Sequence, residues 1–336
     1  MKSEFFWIAT GGTGGHIFPA LAVADELIAR KHKVIVSVDV RGKKYVKNYR
    51  HTTIWASGVG AKSALFQVFS MFKILMTTLF LTIRFIFSRP DKIVAFGGYS
   101  SVPVLIAGRI WNIPTFLHEQ NAAIGRANNF AMPFVKTLMT SFPIGQGVYT
   151  GLPVRKDFND KKWLGNKNRI LVTGGSLGAA VLDDNVPRAI SKIKHKDKLF
   201  VVHQTRPENV EKLRKIYAKM NVKNNVTSFI KDMAGELSEA SIVISRAGAS
   251  TVVEMQTVGV PAILVPLWIN PDQLANAKAF AKNGGGIVIE QKNFNADFLA
   301  ENLDKLLSDT EKLNRMAKAA LVPNKAISNI MKAVGA

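Results

Sequence analysis

The sequence predicts an α/β protein with two doubly wound, Rossmann-like domains that face each other across a cleft. Short apolar runs alternate with helical patterns along the chain, which is typical of βαβ units in a parallel sheet. The alternation restarts after a polar, proline-containing stretch, TGLPVRKDFNDKKWLGNK at residues 150–167, which we interpret as the interdomain connection. Each half opens with a strand, a glycine turn and a helix, and 336 residues suit two domains of ordinary size.

Apolar runs of strand length define the elements of each half. In the first half the predicted strands are Phe5–Ala9, Val34–Val38, Lys92–Ala95, Thr115–Leu117 and Thr137–Met139. In the second half they are Arg169–Val172, Leu199–Val202, Val226–Phe229, Ile242–Ser245, Ala262–Val265 and Gly286–Ile289. Helical patterns separate most of them, for example Ala179–Ile193, Pro207–Ala218, Ser250–Val258 and Gln273–Asn283. Such sheets bind ligands beyond the carboxyl ends of their strands, so we expect the functional residues in the turns that follow.

Composition limits the possible classes of function. The formal net charge is +21 and the pI is about 10.1, which favours an anionic partner such as a phosphorylated substrate, an anionic membrane or nucleic acid. The chain has no cysteine, which excludes disulfides and thiolate metal sites and is compatible with a reducing cytoplasm. Glu4 interrupts the first apolar run, so we expect no signal peptide there.

The positive charge is concentrated in residues 41–90, which contain no Asp or Glu. The cations are Arg41, Lys43, Lys44, Lys47, Arg50, Lys62, Lys73, Arg84 and Arg89. This stretch also holds the very apolar Ala64–Phe87, whose charge-free core Ile74–Ile83 is shorter than the roughly 20 residues of a membrane span. Two interpretations stay open: a helix packed against the sheet, or a helix whose outer side meets the membrane interface. In either case we expect much of the segment to be core, and the cations favour membrane contact.

The stretch GGTGGHIFPA, residues 11–20, lies between the first strand and the first helix. It fails the dinucleotide fingerprint G-x-G-x-x-G, because counting from Gly12 places Ile17 where the last glycine should be. Free N–H groups at a helix N-terminus still attract anions. Four glycines together with Thr13 favour close approach of a ligand over a simple tight turn. His16 is either a satisfied cap residue or an acid–base group at the mouth of the cleft.

Further polar stretches follow other predicted strands. GGSLGA at residues 174–179 offers N–H groups and the Ser176 hydroxyl to a phosphate. In SRAGASTVVEM at residues 245–255, the Glu254 carboxylate suits the two hydroxyls of a ribose or serves as a capping-box residue. Gln273 and Asn276 share one helix face and suit either sugar hydroxyls or surface positions. HEQNAAIGRANN at residues 118–129 is too polar for a core and is either a ligand loop or a solvated one.

Together these stretches resemble the MurG family of glycosyltransferases. The matching segments are GGTGGHIFPALAVA, FGGYSSVP, HEQNAAIGRANN, GLPVR, GGSLGA, HQT, FIKDM, SRAGASTVVEM and DQLANA, in this order between residues 11 and 277. Each is moderately specific, and the ordered set is highly specific. The resemblance implies the glycosyltransferase-B architecture, with an acceptor-binding, membrane-associating domain at residues 1–152 plus a final helix near 322–336. The UDP-sugar domain would occupy residues 153–321.

The resemblance also implies an activity. Members of the family are inverting transferases that move N-acetylglucosamine from UDP-N-acetylglucosamine to undecaprenyl-pyrophosphoryl-muramyl-pentapeptide. The product is a precursor of peptidoglycan, so the implied activity serves cell wall biogenesis and, through it, cell shape and cell division. It implies a peripheral position on the cytoplasmic face of the bacterial inner membrane, reached through residues 41–90, and no nucleic-acid partner. No cofactor and no metal are expected, and Asp183 and Asp184 lie inside a predicted helix rather than in a metal-nucleotide clamp.

Site residues are carried over at the positions that match the family's motifs. His16 is the candidate catalytic base, and Glu119 is the alternative. The implied acceptor-pyrophosphate residues are Thr13, Gly14, Gly15 and His16. On the donor side, Ile230 would meet uracil through its backbone, Glu254 would hold the ribose, and Ser176 and Arg155 would face the diphosphate. The remaining donor contacts would come from Ala249 and Thr251, and from Gln273 and Asn121 at the sugar hydroxyls.

Three positions depart from the family's pattern. Asn270 stands where Asp is frequent, Arg206 follows HQT where glycine is usual, and Leu152 replaces the Asn of GNPVR. None of them lies in the core of the donor signature.

Three other functions are compatible with parts of the sequence. A related transferase with a diacylglycerol acceptor shares the donor half, but GGTGGH with HEQN favours a pyrophosphoryl-polyprenyl acceptor. A UDP-sugar 2-epimerase has the same architecture and needs no membrane face. A basic nucleic-acid or membrane-surface binding protein would explain the charge but not the glycine turns.

Overall fold

The computed structural model describes residues 2–12, 14–56, 64–165, 168–175 and 178–336, and it divides into two compact units. The first unit comprises Met1–Arg155 and Asn324–Ala336, and the second comprises Lys156–Pro323. The sequence-based boundaries are 152 and 321. The prediction of two doubly wound α/β domains is confirmed, whereas their facing across a cleft stays a prediction.

The first unit is a parallel seven-stranded sheet covered by helices on both faces. Its strands are β1 (Phe5–Ala9), β2 (Lys33–Val38), β3 (His51–Thr53), β4 (Lys92–Ala95), β5 (Thr115–Glu119), β6 (Thr137–Thr140) and β7 (Val148–Tyr149). Its helices before the crossover are α1 (Gly14–Ala29), α2 (Ala64–Phe87), α3 (Val102–Ile110) and α4 (Arg126–Ala131). The strand order is β3-β2-β1-β4-β5-β6-β7.

Alternate side chains of β1 enter the two cores of this unit. Phe6 and Ile8 pack with α1 on one face, whereas Trp7 and Ala9 pack with α2 and α3 on the other. All four are fully buried. Because both faces are covered, the strand reads as a continuous apolar run in the sequence.

The second unit repeats this plan with six parallel strands in the order β10-β9-β8-β11-β12-β13. The strands are β8 (Arg169–Thr173), β9 (Phe200–Gln204), β10 (Lys223–Thr227), β11 (Ile242–Ser245), β12 (Ala262–Leu264) and β13 (Gly286–Val288). The helices are α5 (Lys156–Asn159), α6 (Ala180–Lys192), α7 (Val210–Lys219), α8 (Met233–Glu239), α9 (Ala249–Val258), α10 (Pro271–Ala281), α11 (Ala296–Ser308) and α12 (Thr310–Ala320). β8 is central, as β1 is in the first unit.

The last helix, α13 (Ala326–Val334), belongs to the first unit. Ile330, Met331 and Val334 are buried in the same core as Phe6 and Ile8. Side-chain amides secure the approach to this helix, because the Asn324 amide donates to the Leu152 carbonyl at 2.9 Å and that of Asn329 to the Thr150 carbonyl at 3.2 Å. Leu152, one of the departures from the family's pattern, is fully buried. It contacts the Asn324 amide through its backbone carbonyl, so this hydrogen bond does not depend on the side chain at position 152.

Edge strands are where the sequence-based prediction was wrong. β3 and β7 have no apolar run, because each lies at an edge of its sheet and has no fully buried side chain. β10 begins at Lys223 rather than Val226, since this edge strand is polar and its pairing with β9 runs through Lys223–Thr227. Apolar periodicity detects buried strands and is weak where one side of the strand faces water.

α2 presents most of its large apolar side chains outward, which contradicts the expectation that much of this segment is core. The exposed set is Leu65, Val68, Phe69, Met71, Phe72, Leu75, Met76, Leu79, Phe80, Ile83, Ile86 and Phe87. Its buried side includes Ser70, Thr77 and Thr78 beside Ile74, Leu81 and Phe85. The Thr77 hydroxyl donates to the Trp55 carbonyl and that of Thr78 to the Ile74 carbonyl, so small polar groups are satisfied against the protein.

Candidate active site

The first candidate site lies where β1 and β4 stand side by side at the centre of the first sheet. The connections from these two strands lead to opposite faces, so their carboxyl ends stay uncovered. A cavity of about 210 Å³ opens there. It is lined by Gly11, Gly12, His16, Asp39, Arg41, Ala56, Gly98, Tyr99 and Ser100. We call it the acceptor pocket, because it contains the glycine turn for which the family resemblance predicts acceptor binding.

Two glycines of this turn are required by geometry. A Cβ on Gly11 would lie 2.0 Å from the Ser100 hydroxyl oxygen, so no side chain fits between the two turns. Gly12 has a φ of +84°, in the left-handed region that favours glycine. Gly14 and Gly15 begin α1, whose first turn carries no acidic residue. Thr13 lies outside the described residues. The helix N-terminus therefore offers N–H groups to an anion.

Asp39 and Arg41 line the same pocket. The sequence analysis missed Asp39 and considered Arg41 only as one of the cations of residues 41–90. The Asp39 carboxylate accepts hydrogen bonds from the backbone N–H groups of Gly12 and Gly42 at 3.2 and 3.0 Å. The Arg41 guanidinium donates to Asp39 at 2.6 Å while most of its side chain is exposed. A buried carboxylate thus braces the glycine turn, and an exposed cation offsets its charge at the rim of the pocket.

His16 is oriented by two oxygen atoms. Its Nδ1 lies 2.9 Å from the Phe96 carbonyl oxygen and 2.8 Å from the Gln120 Oε1. The Gln120 amide nitrogen donates to the carbonyls of Phe96 and His118, which fixes its oxygen toward His16. Both neighbours of Nδ1 are acceptors, so in the neutral ring Nδ1 carries the proton and Nε2 keeps its lone pair. Among the described residues no hydrogen bond engages Nε2, which is the form a general base needs.

Glu119 has a different place. Its side chain is 1% exposed, and its carboxylate accepts hydrogen bonds from the backbone N–H groups of Asn121 and Gly125 and from the amides of Asn121 and Asn128. Four donors, three from the turn after β5 and one from α4, thus surround it. Glu119, the last residue of β5, therefore organises the segment that follows the strand, and protein donors already engage both of its carboxylate oxygens.

His118 is buried beneath the pocket, stacked on Phe96 with ring centroids 5.3 Å apart. Its Nε2 donates to the Gly151 carbonyl at 2.9 Å, and its Nδ1 has no partner in the described part of the chain. Burial lowers the pKa of His118 to about 4, and the nearby His16 adds to this shift. The ring is therefore neutral at pH 7 and serves to support the layer that carries Gln120.

The second candidate site lies at the equivalent place in the second unit, between β8 and β11. Gly175 and Gly178 of the turn after β8 have φ values of +73° and +66°, and Ser176 lies outside the described residues. Arg206, one of the departures, packs here: a Cβ on Gly178 would lie 2.8 Å from the Arg206 Cγ. The backbone φ of Arg206 is −69°, so this position does not need the glycine usual in the family.

The turn after β11 begins α9, with Ala249 and Thr251 in its first turn and Glu254 one turn further. Asn276 is fully buried, and its amide donates to the Ala247 carbonyl at 3.1 Å, which joins α10 to this turn. The Gln273 Oε1 accepts from the Leu267 N–H at 3.0 Å. The sequence predicted these two amides to lie at the surface or to bind sugar hydroxyls. In the structure both hydrogen-bond to the backbone of neighbouring loops.

Asn270 is the N-cap of α10, where its side chain accepts from the Asp272 N–H at 3.0 Å. Asn and Asp are equally good N-cap residues, so this departure preserves the structural role. Ile230 follows β10 and is buried, while Arg155 is exposed at the end of the first unit's main segment. The roles of these residues in binding the donor stay predictions.

Asp183 belongs to a buried hydrogen-bond network. Burial opposes its ionisation, but hydrogen bonds, led by that from His203, outweigh burial and lower the pKa of Asp183. The other donors are Thr205 and Asn209, and His203 in turn contacts the Tyr217 hydroxyl at 2.9 Å. Within the described ranges no group of three His, Asp or Glu side chains has the geometry of a metal site.

Family models match most of the chain. The glycosyltransferase family 28 N-terminal domain matches residues 6–140, and the family 28 C-terminal domain matches residues 169–333. A protein of Phenylobacterium zucineum is 36% identical over 93% of this chain and 92% of its own length. It is named UDP-N-acetylglucosamine--N-acetylmuramyl-(pentapeptide) pyrophosphoryl-undecaprenol N-acetylglucosamine transferase. A protein of the same name from Rhodospirillum centenum is 38% identical over 93% of this chain and 88% of its own.

Solved structures of glycosyltransferases are similar to this chain. MurG of Acinetobacter baumannii is 31% identical, with a TM-score of 0.85 and coverage of 99% of both chains. The glycosyltransferase of kitacinnamycin is 15% identical, with a TM-score of 0.71 over 99% of this chain and 100% of that chain. At that identity the second likeness concerns the fold alone.

Replacing His118 should change how stability depends on pH. The folded pKa of about 4 lies below the ordinary 6.5, so the unfolded state binds more protons and stability is lost as pH falls from 6.5 toward 4. We expect this group to contribute on the order of 3 kcal/mol to that loss. Denaturant titrations from pH 7.5 to 4.5 should show a flatter dependence for His118→Gln than for the wild type. The exposed His195→Gln should keep the wild-type dependence, and identical slopes in all three proteins would contradict the assignment.

Proposed function

Because this chain belongs to the MurG family within glycosyltransferase family 28, we propose that it transfers N-acetylglucosamine from UDP-N-acetylglucosamine to a lipid-linked muramyl-pentapeptide acceptor. The observation that carries the proposal is His16, whose Nε2 is left as an acceptor beside the glycine turn of the acceptor pocket. An attacking sugar hydroxyl must lose a proton, and an imidazole in this state takes it. The product would supply peptidoglycan synthesis, and through it cell shape and division.

The reaction is a displacement at the anomeric carbon with inversion. The acceptor hydroxyl oxygen forms the new bond to that carbon, the bond to the UDP oxygen breaks, and the proton passes to His16 Nε2. UDP leaves with the bonding electrons, so its growing negative charge needs stabilisation. The N–H groups at the start of α6 and α9 and the Arg155 guanidinium supply it without a bound cation.

Donor recognition is proposed from the second unit's turns. The Glu254 carboxylate takes the ribose hydroxyls, the Ile230 backbone takes uracil, and Ser176 with Arg155 takes the diphosphate. Ala249 and Thr251 contact further donor groups at the N-terminus of α9, where N–H groups favour phosphate oxygens. Gln273 and Asn121 hold sugar hydroxyls. On the acceptor side, the pyrophosphate meets Gly14, Gly15 and Thr13 at the start of α1.

Attachment to the membrane is proposed through α2. In the part of the chain that the structure describes, Leu65–Phe87 is the one helix whose length and composition would allow it to cross a membrane. Its inner side packs in the core through Ile74, Leu81 and Phe85, which a crossing helix would have to give up. An apolar outer face of this size favours lying in the interface.

Not every cation of residues 41–90 serves this surface. The Arg84 guanidinium donates to the Thr52 hydroxyl at 2.8 Å and lies over the Trp7 ring, so it is turned toward the protein. Four other cations of this stretch are exposed, namely Lys43, Lys44, Lys47 and Arg50. The sequence of residues 41–90 contains no Asp or Glu. These lysines and Arg50 would meet anionic headgroups on the cytoplasmic face of the inner membrane.

The activity is tested with purified protein, UDP-N-acetylglucosamine and the lipid-linked muramyl acceptor. We expect release of one UDP for each disaccharide formed and no release when the acceptor is omitted. Diacylglycerol in place of the acceptor should give no turnover. UDP release with diacylglycerol, or epimerisation of the donor sugar without an acceptor, would assign one of the rival activities instead.

His16 and Gln120 should act as one unit in turnover. His16→Ala removes the base and should lower kcat by about 10²- to 10⁴-fold, and near-normal turnover would exclude His16 from the chemical step. Gln120→Leu removes the oxygen that orients Nδ1 and should lower kcat by about tenfold with unchanged affinity for UDP, since a loss near 1.4 kcal/mol matches one hydrogen bond. In the His16→Ala background, Gln120→Leu should have no further effect on kcat. Additive losses would mean that Gln120 acts independently of His16.

Membrane binding should depend on the exposed face of α2. Phe80→Glu places a charge in the middle of this face and should weaken sedimentation with phosphatidylglycerol vesicles at least about tenfold, because the apolar contact of one aromatic side chain is lost. Phe298→Glu alters an exposed aromatic residue on α11 and should bind as the wild type does. Added salt should weaken binding of all three proteins. Equal binding of Phe80→Glu and the wild type would refute this surface.

A further inference from the structure

A second cavity adjoins the acceptor pocket. It has a volume of about 340 Å³ and is lined by Asp39, Val40, Arg41, Ile54, Trp55, Ala56 and Lys73. Asp39, Arg41 and Ala56 line both cavities, so the two are neighbours across these residues. The volume lies in the range of small-ligand pockets, about 300–1,000 Å³. We call it the α2 pocket, because Lys73 of α2 forms part of its wall.

The α2 pocket is held by the hydrogen bonds of the chain that leaves β3. The Ile54 N–H donates to the Val38 carbonyl at 2.8 Å, which continues the pairing with β2. The Thr77 hydroxyl of α2 donates to the Trp55 carbonyl at 2.7 Å. The backbone of Trp55 is thus fixed to α2 while its indole remains 73% exposed. A large aromatic surface is left facing solvent beside the pocket.

The chemistry of the α2 pocket changes along its length. At the border with the acceptor pocket stands the Arg41 guanidinium, paired with Asp39. The walls beyond it are apolar, from Val40, Ile54, Trp55 and Ala56. On the α2 side the Lys73 ammonium lies 4.5 Å from the Phe69 ring, and Phe69 belongs to the exposed apolar face of the helix. From the acceptor pocket toward α2, the Arg41 guanidinium is therefore followed by the apolar walls of the α2 pocket and then by the exposed apolar face of the helix.

We propose that the α2 pocket seats the first isoprene units of a polyprenyl pyrophosphate, with Arg41 beside the phosphate nearest the lipid. This inference rests on the proposed function, which places the acceptor's pyrophosphate at the glycine turn. A lipid attached to that pyrophosphate must leave the acceptor pocket toward an apolar surface. The α2 pocket adjoins the phosphate site at Arg41 and borders the helix face that is proposed to meet the membrane. The protein thereby recognises part of the lipid as well as the sugar.

The test measures binding without a membrane and without turnover. Isothermal titration with farnesyl pyrophosphate below its micelle concentration is compared with titration of inorganic pyrophosphate. The wild type should bind farnesyl pyrophosphate more tightly. Trp55→Ser should weaken farnesyl pyrophosphate binding by about tenfold, as expected for roughly 55 Å² of lost apolar contact, and leave pyrophosphate binding unchanged. Phe298→Ser, an exposed aromatic residue replaced in the second unit, should change neither affinity.

Three outcomes would overturn the inference, and the first is an unchanged affinity of Trp55→Ser for farnesyl pyrophosphate. Equal wild-type affinity for the two ligands would show that the isoprene units make no contact. Equal weakening of both ligands by Trp55→Ser would show a distorted phosphate site rather than a lost lipid contact. Failure of the proposed function has a separate signature, namely absence of glycosyl transfer in the turnover assay while the preference for farnesyl pyrophosphate persists. Thermal melting should show that each exposed substitution leaves the fold intact.

Discussion

The central positions of β1 and β8 in their parallel sheets are the constraint on which both candidate sites depend. Right-handed crossovers leave a central strand and its neighbour toward opposite faces, so no helix covers the carboxyl ends there. The chain must turn back sharply in that space, and at Gly11 the adjoining turn leaves no room for a Cβ. The open turns at these two places are thus a consequence of sheet topology.

Buried parallel strands could be predicted from the sequence, because strands covered on both faces read as apolar runs between helices. The glycine turns were equally visible, since they follow those runs directly. Polar edge strands such as β3 and β7 lack that signal. α2 was misread because apolar composition alone does not show which side of a helix is buried. Its buried side contains Ser70 and Thr77 beside Ile74, Leu81 and Phe85, while most of its large apolar side chains point outward.

The side-chain networks of the first site could not be predicted, because their partners are far apart in the chain. Gln120 meets His16 across 104 positions, and Asp39 meets Gly12 across 27. The sequence predicted HEQN as a stretch too polar for a core that follows a strand ending at Leu117. This was wrong in part, because His118 and Glu119 belong to β5 and both are buried, as is Gln120. Only the hydrogen bonds separate the roles of these three side chains. Glu119 organises the loop, His118 supports the layer below, and Gln120 orients the histidine of another turn. Chemically similar neighbours thus hold distinct functions.

The return of α13 to the first unit has a consequence for synthesis on the ribosome. The second unit is continuous in sequence, so it has all its residues as soon as Pro323 has emerged. Synthesis of the first unit begins earlier but is completed later, because the core around Phe6 and Ile8 also contains Ile330 and Val334 of α13. A chain synthesised only as far as Pro323 therefore has all residues of the second unit but lacks the buried side chains of α13 that complete the core of the first.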